Sequence, residues 1–360
     1  MKLIFLLIFT LQSFSLCSEE SWHSKKPIVE HLSTITVRNL VIDNSYSIIE
    51  EPTNIPNFGH SIEFSINNFH PFTKAHHISK VNGEVIYDQY YESEEYGLRK
   101  IPTSYVPKKP THHLIIAGDS NTFGEGVLIQ ETLPILLSSK IPGAHPYNWG
   151  IRGGGPNNTL AMMEFFPWEN LIKEKNGIFI YNYYDFLIER VIGFKNYILW
   201  SKGSTPYYKL DSNGVATYQG NFNTRFLTRV FQAMNSIKWI RDLFPILPKP
   251  RYEHSVILGK IFLKMYEEYK KKFPEGQFFV AINDNFHHAL HGRLEDLQKE
   301  LTKNKVPFIT VPSETYDEKY IFADLHLNPK GHKLEAELLL KVLPLNKIAS
   351  KPDINSTNQN

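Results

Sequence analysis

A single cysteine, Cys17, occurs in the 360 residues, so no internal disulfide can staple the chain. Charge of one sign is not in surplus: 39 Lys and Arg against 37 Asp and Glu leave +2. That near-balance excludes a global attraction for nucleic acid or an acidic membrane surface. Long apolar runs are missing as well. The run from Leu3 to Leu11 falls well short of the roughly 20 residues a membrane-crossing helix needs. What is there is an ordinary globular composition, 42% apolar and 21% charged, with 24 Phe and 19 Tyr. The length allows one large domain or two modest ones.

Lys2, the apolar run and then the small and polar residues of "QSFSLCSEES" follow the order of a secretory signal. Cleavage fits after Ser15 or after Cys17, which sets residues 1–17 aside and predicts an exported protein. Cys17 also stands where a lipoprotein carries its lipid, although Leu16 before it is bulkier than that processing prefers. Membrane association is therefore carried as an expectation at two places, Cys17 and an amphipathic helix at 226–247.

Residues 18–110 read as a β-rich segment and linker. "TITVRNLVI", "HSIEFSI" and "EVIYDQYY" are branched and aromatic runs divided by Asn, Pro and Gly, and "VNGEVIYDQYY" has the form of a hairpin. "VPKKPTHH" is broken by proline and reads as the linker. From 111 to 345 strands and helices alternate. The strand-like runs are "LIIA", "AHPYNWG", "GIFIYNYYDF", "QFFVAIND" and "PFITVP". The helical ones are "ETLPILLSSKI", "TLAMMEFF", "SVILGKIFLKMYEEYKKKF", "ALHGRLEDLQKELTKN" and "GHKLEAELLLKVL". This rhythm predicts an α/β fold with a largely parallel sheet covered on both faces and sites at the carboxyl ends of its strands. Residues 193–251 interrupt it. Within them Phe226, Val230, Phe231, Met234, Ile237 and Ile240 recur at helical spacing, as in a packed helix, a lid over the site or a lipid-facing surface. Residues 346–360 form a polar tail.

In "HHLIIAGDSNTFGEGV" a strand ends on Gly118-Asp119-Ser120. A hydroxyl there sits at the sheet's carboxyl edge, and its own amide lies near a helix N-terminus, where a developing negative oxygen is stabilised. Taken alone, the Asp and Ser could equally cap the next helix. Far along the chain, "FADLHLNPKGH" offers Asp324 and His326. An imidazole can take a serine proton and return it to a leaving group, and a carboxylate can orient the ring. If the segment is extended, residues two apart project to one side. His332 is a second-ranked base. "YNWGIRGGGPNN" puts Asn148, Gly150 and Gly153 in an N-x-G-x-x-G loop that lacks the acid a dinucleotide site requires. It is read instead as bringing the Gly153 amide into the crevice of Ser120.

The blocks "GDSNTFGEG", "NWGIRG" and "DLHLNPKGH", in that order over Thr111 to Leu345, resemble the SGNH, or GDSL, hydrolase family. The resemblance implies a flavodoxin-like three-layer α/β/α sheet and acyl transfer from an ester through an acyl-serine, with no metal or cofactor. It implies Ser120 as nucleophile, His326 as base and Asp324 as its partner, with the Ser120 and Gly153 amides as oxyanion hole. Two departures bear on it. The family's acid stands three residues before the His, whereas Ala323 is there and the acid is Asp324; D-x-H spacing occurs in relatives that handle O-acetyl groups on exported polysaccharides. Where the family has G-x-N-D, this chain has "IYNYYDF". Tyr184 then takes the Asn position, Asn182 lies two residues earlier as the candidate third donor, and Asn283 in "INDN" is read as coincidence. The expectation is an exported esterase acting on a small acyl ester of a carbohydrate or cell-envelope substrate. An O-acyltransferase on glycan and a non-catalytic glycan-binding module are the alternatives.

Other clusters are given plainer readings. His287, His288 and His291 read as surface histidines or a rim for the crevice, because no further zinc ligands accompany them, and the pairs His76-His77 and His112-His113 read as loop or linker residues. Tyr181, Tyr183 and Tyr184 read as packing or as a platform for a sugar ring. Glu189 and Arg190 read as a solvated pair in preference to an anchor for an anionic substrate.

Overall fold

The computed structural model describes residues 28–31, 36–37, 40–41, 46–50, 71–194, 197–198, 201, 203–235, 248–283, 293–312 and 318–344; within 28–50 only the backbone is described. The signal segment with Cys17, "HSIEFSI", the second half of the 226–247 helix, His287, His288, His291 and the tail after 345 lie outside these residues.

Four strands, β1 (Ile28–His31), β4 (Tyr46–Glu50), β5 (Lys74–Val81) and β6 (Glu84–Glu92), form an antiparallel sheet in the order β1-β4-β5-β6. Between the first two, β2 (Thr36–Val37) and β3 (Leu40–Val41) make a short hairpin of their own. The turn joining β5 to β6 is Asn82-Gly83, with φ of 52° and 84°. Both central residues of a type I′ turn need positive φ, so the Asn-Gly pair sets this hairpin and its register.

The second sheet is parallel and holds β7 (His112–Gly118), β8 (Ala144–Gly150), β9 (Gly177–Tyr184), β12 (Gln277–Asn283) and β13 (Phe308–Val311). Its order, β13-β12-β9-β7-β8, is the 2-1-3-4-5 winding of flavodoxin-like folds. Each strand is apolar on both faces because helices cover both. On one face Ile115, Trp149, Phe179 and Tyr181 pack with Leu160 and Met163 of α3 (Pro156–Phe165). Phe262 and Met265 of α6 (Tyr252–Lys272) and Leu297 and Leu301 of α7 (Leu294–Lys303) join the same core. On the other face Leu114, Ile116, Ile178 and Ile180 pack with Leu133 and Leu137 of α2 (Leu133–Ser138) and with Leu338 and Leu339 of α8 (Pro329–Val342). The protein is thus a three-layer α/β/α fold preceded by a β-rich segment.

The interruption at 193–251 contains an antiparallel pair that alternation did not reveal, β10 (Pro206–Leu210) with β11 (Ala216–Asn221). Helix α5 (Phe226–Asn235) follows, and its Phe226 is exposed. No helix among the described residues is long and apolar enough to cross a membrane.

Candidate active site

The polypeptide leaves β7 at Gly118 and turns directly into the one-turn helix α1 (Ser120–Phe123). Asp119 caps that helix by accepting the Asn121 amide at 3.0 Å, and Ser120 begins it. Such a tight turn needs space behind it. A Cβ on Gly150, at the end of β8, would lie 2.0 Å from the Phe123 nitrogen and 2.4 Å from its Cα, so only glycine lets the sheet and α1 approach. Arg99 is buried beneath the far end of α1 and donates to the Phe123, Gly124 and Val127 carbonyls at 2.9, 2.6 and 2.8 Å. These bonds satisfy carbonyls that a helix C-terminus otherwise leaves bare.

The segment carrying Asp324 and His326 is a tight hairpin, not the extended stretch expected. Ile321 bridges Leu327, the Phe322 amide donates to the His326 carbonyl at 2.7 Å, and the Leu325 amide donates to the Phe322 carbonyl at 2.9 Å. Leu325 takes φ of 72°, the left-handed position that closes a three-residue loop. The turn, rather than β-strand alternation, puts both side chains on one side.

It also brings them to Ser120. His326 Nε2 lies 2.9 Å from Ser120 Oγ, and Nδ1 lies 3.0 Å from Asp324 Oδ2. Asp324 Oδ1 accepts the His326 amide at 3.2 Å, which fixes the carboxylate on the same turn. The two parts of the chain are tied by the Leu327 amide, which donates to Asn121 Oδ1 at 3.0 Å. His332, the second-ranked base, is buried on α8, where burial lowers its pKa to about 3. It is His326 that reaches the hydroxyl.

Five further side chains surround the imidazole and its acids, and local sequence patterns gave little sign of them. The Tyr87 hydroxyl donates to Asp324 Oδ2 at 2.9 Å, with Ser79 Oγ at 3.4 Å, so β5 and β6 orient the acid from outside the α/β sheet. Glu125, five residues after Ser120, places Oε2 3.7 Å from His326 Nε2. Its other oxygen takes a bond from Arg152 at 2.9 Å and lies 3.3 Å from His77 Nε2. Contacts between residues tens to hundreds of positions apart leave no periodic signal; the hairpin, however, was visible, and its inward tyrosines were the available hint.

Electrostatically the cluster is acidic around one ring. Burial lowers the His326 pKa, but Asp324, Glu125 and Asp119 outweigh that and raise it to about 9. Burial raises Asp324, yet the charge and hydrogen bond of His326 more than offset it and hold the acid below its usual range. Glu125 is pushed in the same direction, burial being overcome by Arg152, His326 and His77. Burial drives His77 down to about 3 and keeps it neutral.

The glycine-rich loop after β8 runs beside the strand end of Ser120, tied there by the Ile151 amide donating to the Gly118 carbonyl at 2.9 Å. Gly153 in that loop has φ of 66°. Arg190, on the short helix α4 (Ile188–Ile192), donates to the Gly154 carbonyl and lies 3.6 Å from Asp119. Together with Glu189, raised by burial to about 7, it is therefore no solvated pair.

Asn182 is not brought to the crevice. Ile178, Ile180 and Asn182 alternate onto the face covered by α8, and the amide is fully buried there. Its Nδ2 lies 3.0 Å from Glu335 Oε1, 3.2 Å from the Tyr184 hydroxyl and 3.3 Å from Thr122 Oγ1 of α1, and its Oδ1 accepts from Asn283 at 2.6 Å. The Tyr184 hydroxyl donates to the same Glu335. Neither residue has a donor directed at Ser120, and Asn283 serves as a buried partner of Asn182, not as an oxyanion donor. Tyr181 and Tyr183 are buried too, against Phe262, which removes the sugar-platform reading. The pairs His76-His77 and His112-His113 lie in β5 and β7, not in a loop or linker, and His77 and His113 are buried, the latter 2.8 Å from the Tyr269 hydroxyl.

No residues among those described form a group of three or more metal-ligating side chains. A cleft of about 870 Å³ near Phe72, Lys100, Tyr147 and Lys173 shares no residue with the Ser120 cluster.

No family model and no curated protein sequence matches the chain. Among solved structures it is similar to an acetyl xylan esterase from the rumen bacterium Butyrivibrio proteoclasticus, at 12% identity and a TM-score of 0.40, over 88% of this chain and 97% of that one. It is similar to a family two carbohydrate esterase from Cellvibrio japonicus, at 10% identity and 0.39, over 88% and 94%. It is also similar to a member of the lipolytic G-D-S-L family from Veillonella parvula, at 14% identity and 0.37, over 64% and 97%.

Proposed function

We propose that the protein is an exported serine esterase that removes a small acyl group from a carbohydrate or cell-envelope ester. One observation carries the reading: Ser120 Oγ, both nitrogens of His326 and the Asp324 carboxylate form a continuous chain of contacts at 2.9 and 3.0 Å. A neutral His326 takes the hydroxyl proton through Nε2 as Ser120 Oγ attacks the ester carbonyl. Asp324 holds the Nδ1–H and stabilises the imidazolium that forms. The Nε2 proton then passes to the departing alcohol, and water repeats the sequence in reverse to release the acid. The amides of Ser120 and Gly153 serve the developing oxyanion. With Asn182 and Tyr184 both turned to Glu335, the hole has two donors, and loss of a third costs about 100-fold or more in rate. The D-x-H spacing supports a carbohydrate ester, and the signal-like N-terminus supports export. Purified protein is expected to release acetate from an activated acetyl ester and from acetylated polysaccharide, with Ser120→Ala reducing both to the background rate. Undiminished turnover by the alanine variant would reject Ser120 as nucleophile.

A further inference from the structure

Two carboxylates approach His326, one on each ring nitrogen. Asp324 meets Nδ1 at 3.0 Å, and Glu125 Oε2 stands 3.7 Å from Nε2, the nitrogen that also meets Ser120. Glu125 is buried and its other oxygen is held by Arg152, which donates to it at 2.9 Å, with His77 Nε2 packed 3.3 Å away. Oε2 is the oxygen left facing the ring. An arrangement that buries a second acid beside the proton-transferring nitrogen, at the cost of recruiting a buried arginine, is hard to explain by packing alone.

We propose that Glu125 is a positioning residue of the same site, holding the proton that His326 carries on Nε2 between its removal from Ser120 and its delivery to the leaving alcohol. The inference rests on His326 acting as base. Opposite charge close to Nε2 stabilises the imidazolium, so it favours proton uptake and restrains premature return of the proton to Ser120. No bond to Glu125 forms or breaks; the proton stays on the imidazole and leaves with the alcohol. The charged and titratable groups that act on the ring are Asp324 on its own turn, Glu125 after α1, Asp119 after β7, His77 from the hairpin and His332 on α8, while Arg152 after β8 and Tyr87 from the hairpin act on its two acids. Of the carboxylates among them, Asp324 and Glu125 come within 4 Å of a ring nitrogen.

The test is Glu125→Gln in the full chain, with histidine ring titration followed by NMR alongside the pH profile of ester hydrolysis. The His326 titration is expected to fall by about one pH unit or more, and the rising limb of kcat/KM to fall with it. The NMR titration needs no turnover, so it reports on Glu125 even if the ester assignment fails. A folded Glu125→Gln protein whose imidazole titrates where the unsubstituted one does, whatever its rate, overturns the proposal. Should that variant not fold, Glu125→Asp keeps the charge and the Arg152 pair but withdraws the oxygen. It is expected to give a smaller fall, and no fall there overturns the proposal equally.

Discussion

At the scale of single residues, the decisive quantity is the affinity of His326 for a proton. Its pKa near 9 means that at neutral pH the ring is an imidazolium, whose Nε2–H donates to Ser120 Oγ and cannot accept from it. Only the neutral ring is a base. The expected outcome is a kcat/KM that climbs about tenfold per pH unit through neutrality and levels off near pH 9. A stopped-rate assay on a non-ionising acetyl ester between pH 6 and 10 checks this, and a plateau already reached at pH 7 would contradict it. The residues behind this property differ in how readable they are. Ser120, Asp324 and His326 lie in short blocks with a chemical logic of their own, and the three residues those blocks offer stand in contact at 2.9 and 3.0 Å. Glu125 and Arg152 sit inside two of those same blocks yet stay silent, because a lone acid or arginine in a glycine-rich loop announces nothing until its partner is known. Asn182 misleads for a different reason. Its strand alternation with Ile178 and Ile180 assigns it to the α8 face, and that periodicity outweighs the chemical type that suggests an oxyanion donor.

At the scale of elements, the site is a meeting of α1 with the Asp324–His326 hairpin, and both depend on unusual backbone. Gly150 permits the contact between β8 and α1 at which any side chain would strike Phe123 backbone. Backbone cannot rotate out of the way as a side-chain tip can, so α1 itself must shift. Gly150→Ala is expected to cost about 1–3 kcal/mol of stability by overpacking. It should also lower kcat/KM about 100-fold, since an ångström of misplacement at the nucleophile is worth that much. Denaturant unfolding and ester kinetics on the same sample separate the two effects. A stable variant with full activity would mean that α1 tolerates displacement. The five strands and the longer helices of the α/β region were legible because apolar period and length agree over them, whereas the short α1 and α4 were too brief to carry a period. The β10–β11 pair was not, since its short, half-polar strands carry little alternation and sit among loop residues. Nor was the hairpin around Leu325, where a bulky residue occupies a position that sequence rules reserve for glycine.

At the scale of the whole molecule, the buried titratable groups set how folding depends on pH, and they act in opposite senses. His77 and His332 have pKa values lowered to about 3 and His113 to about 4, all chiefly by burial. Each stays neutral in the fold, while the unfolded chain takes a proton below about pH 6.5. Stability is therefore lost as pH falls below 6.5, and the loss continues to pH 3–4. Glu125 and Asp324, held below their ordinary range, add to it, since their contribution is present above the unfolded value and disappears on acidification. Glu335, Glu189 and Glu94 are raised by burial to about 7, so they favour the fold when protonated and withdraw that support between about pH 4.5 and 7. His326, raised to about 9, keeps its contribution below 6.5 and loses it as pH climbs through 9. Between pH 4.5 and 6.5 the three acids, joined by Asp119, largely oppose the three neutral histidines, joined by His112 and His254. Each uncompensated proton is worth about 1.4 kcal/mol per pH unit. Below 4.5 several groups act together, whereas above 7 His326 acts almost alone. Melting temperatures measured from pH 3 to 9 are thus expected to trace a broad maximum between about pH 4.5 and 6.5, with a steep acid side and a shallow alkaline one. A maximum near pH 9, or an alkaline fall steeper than the acid fall, would show that these buried groups do not hold the charges their surroundings assign them.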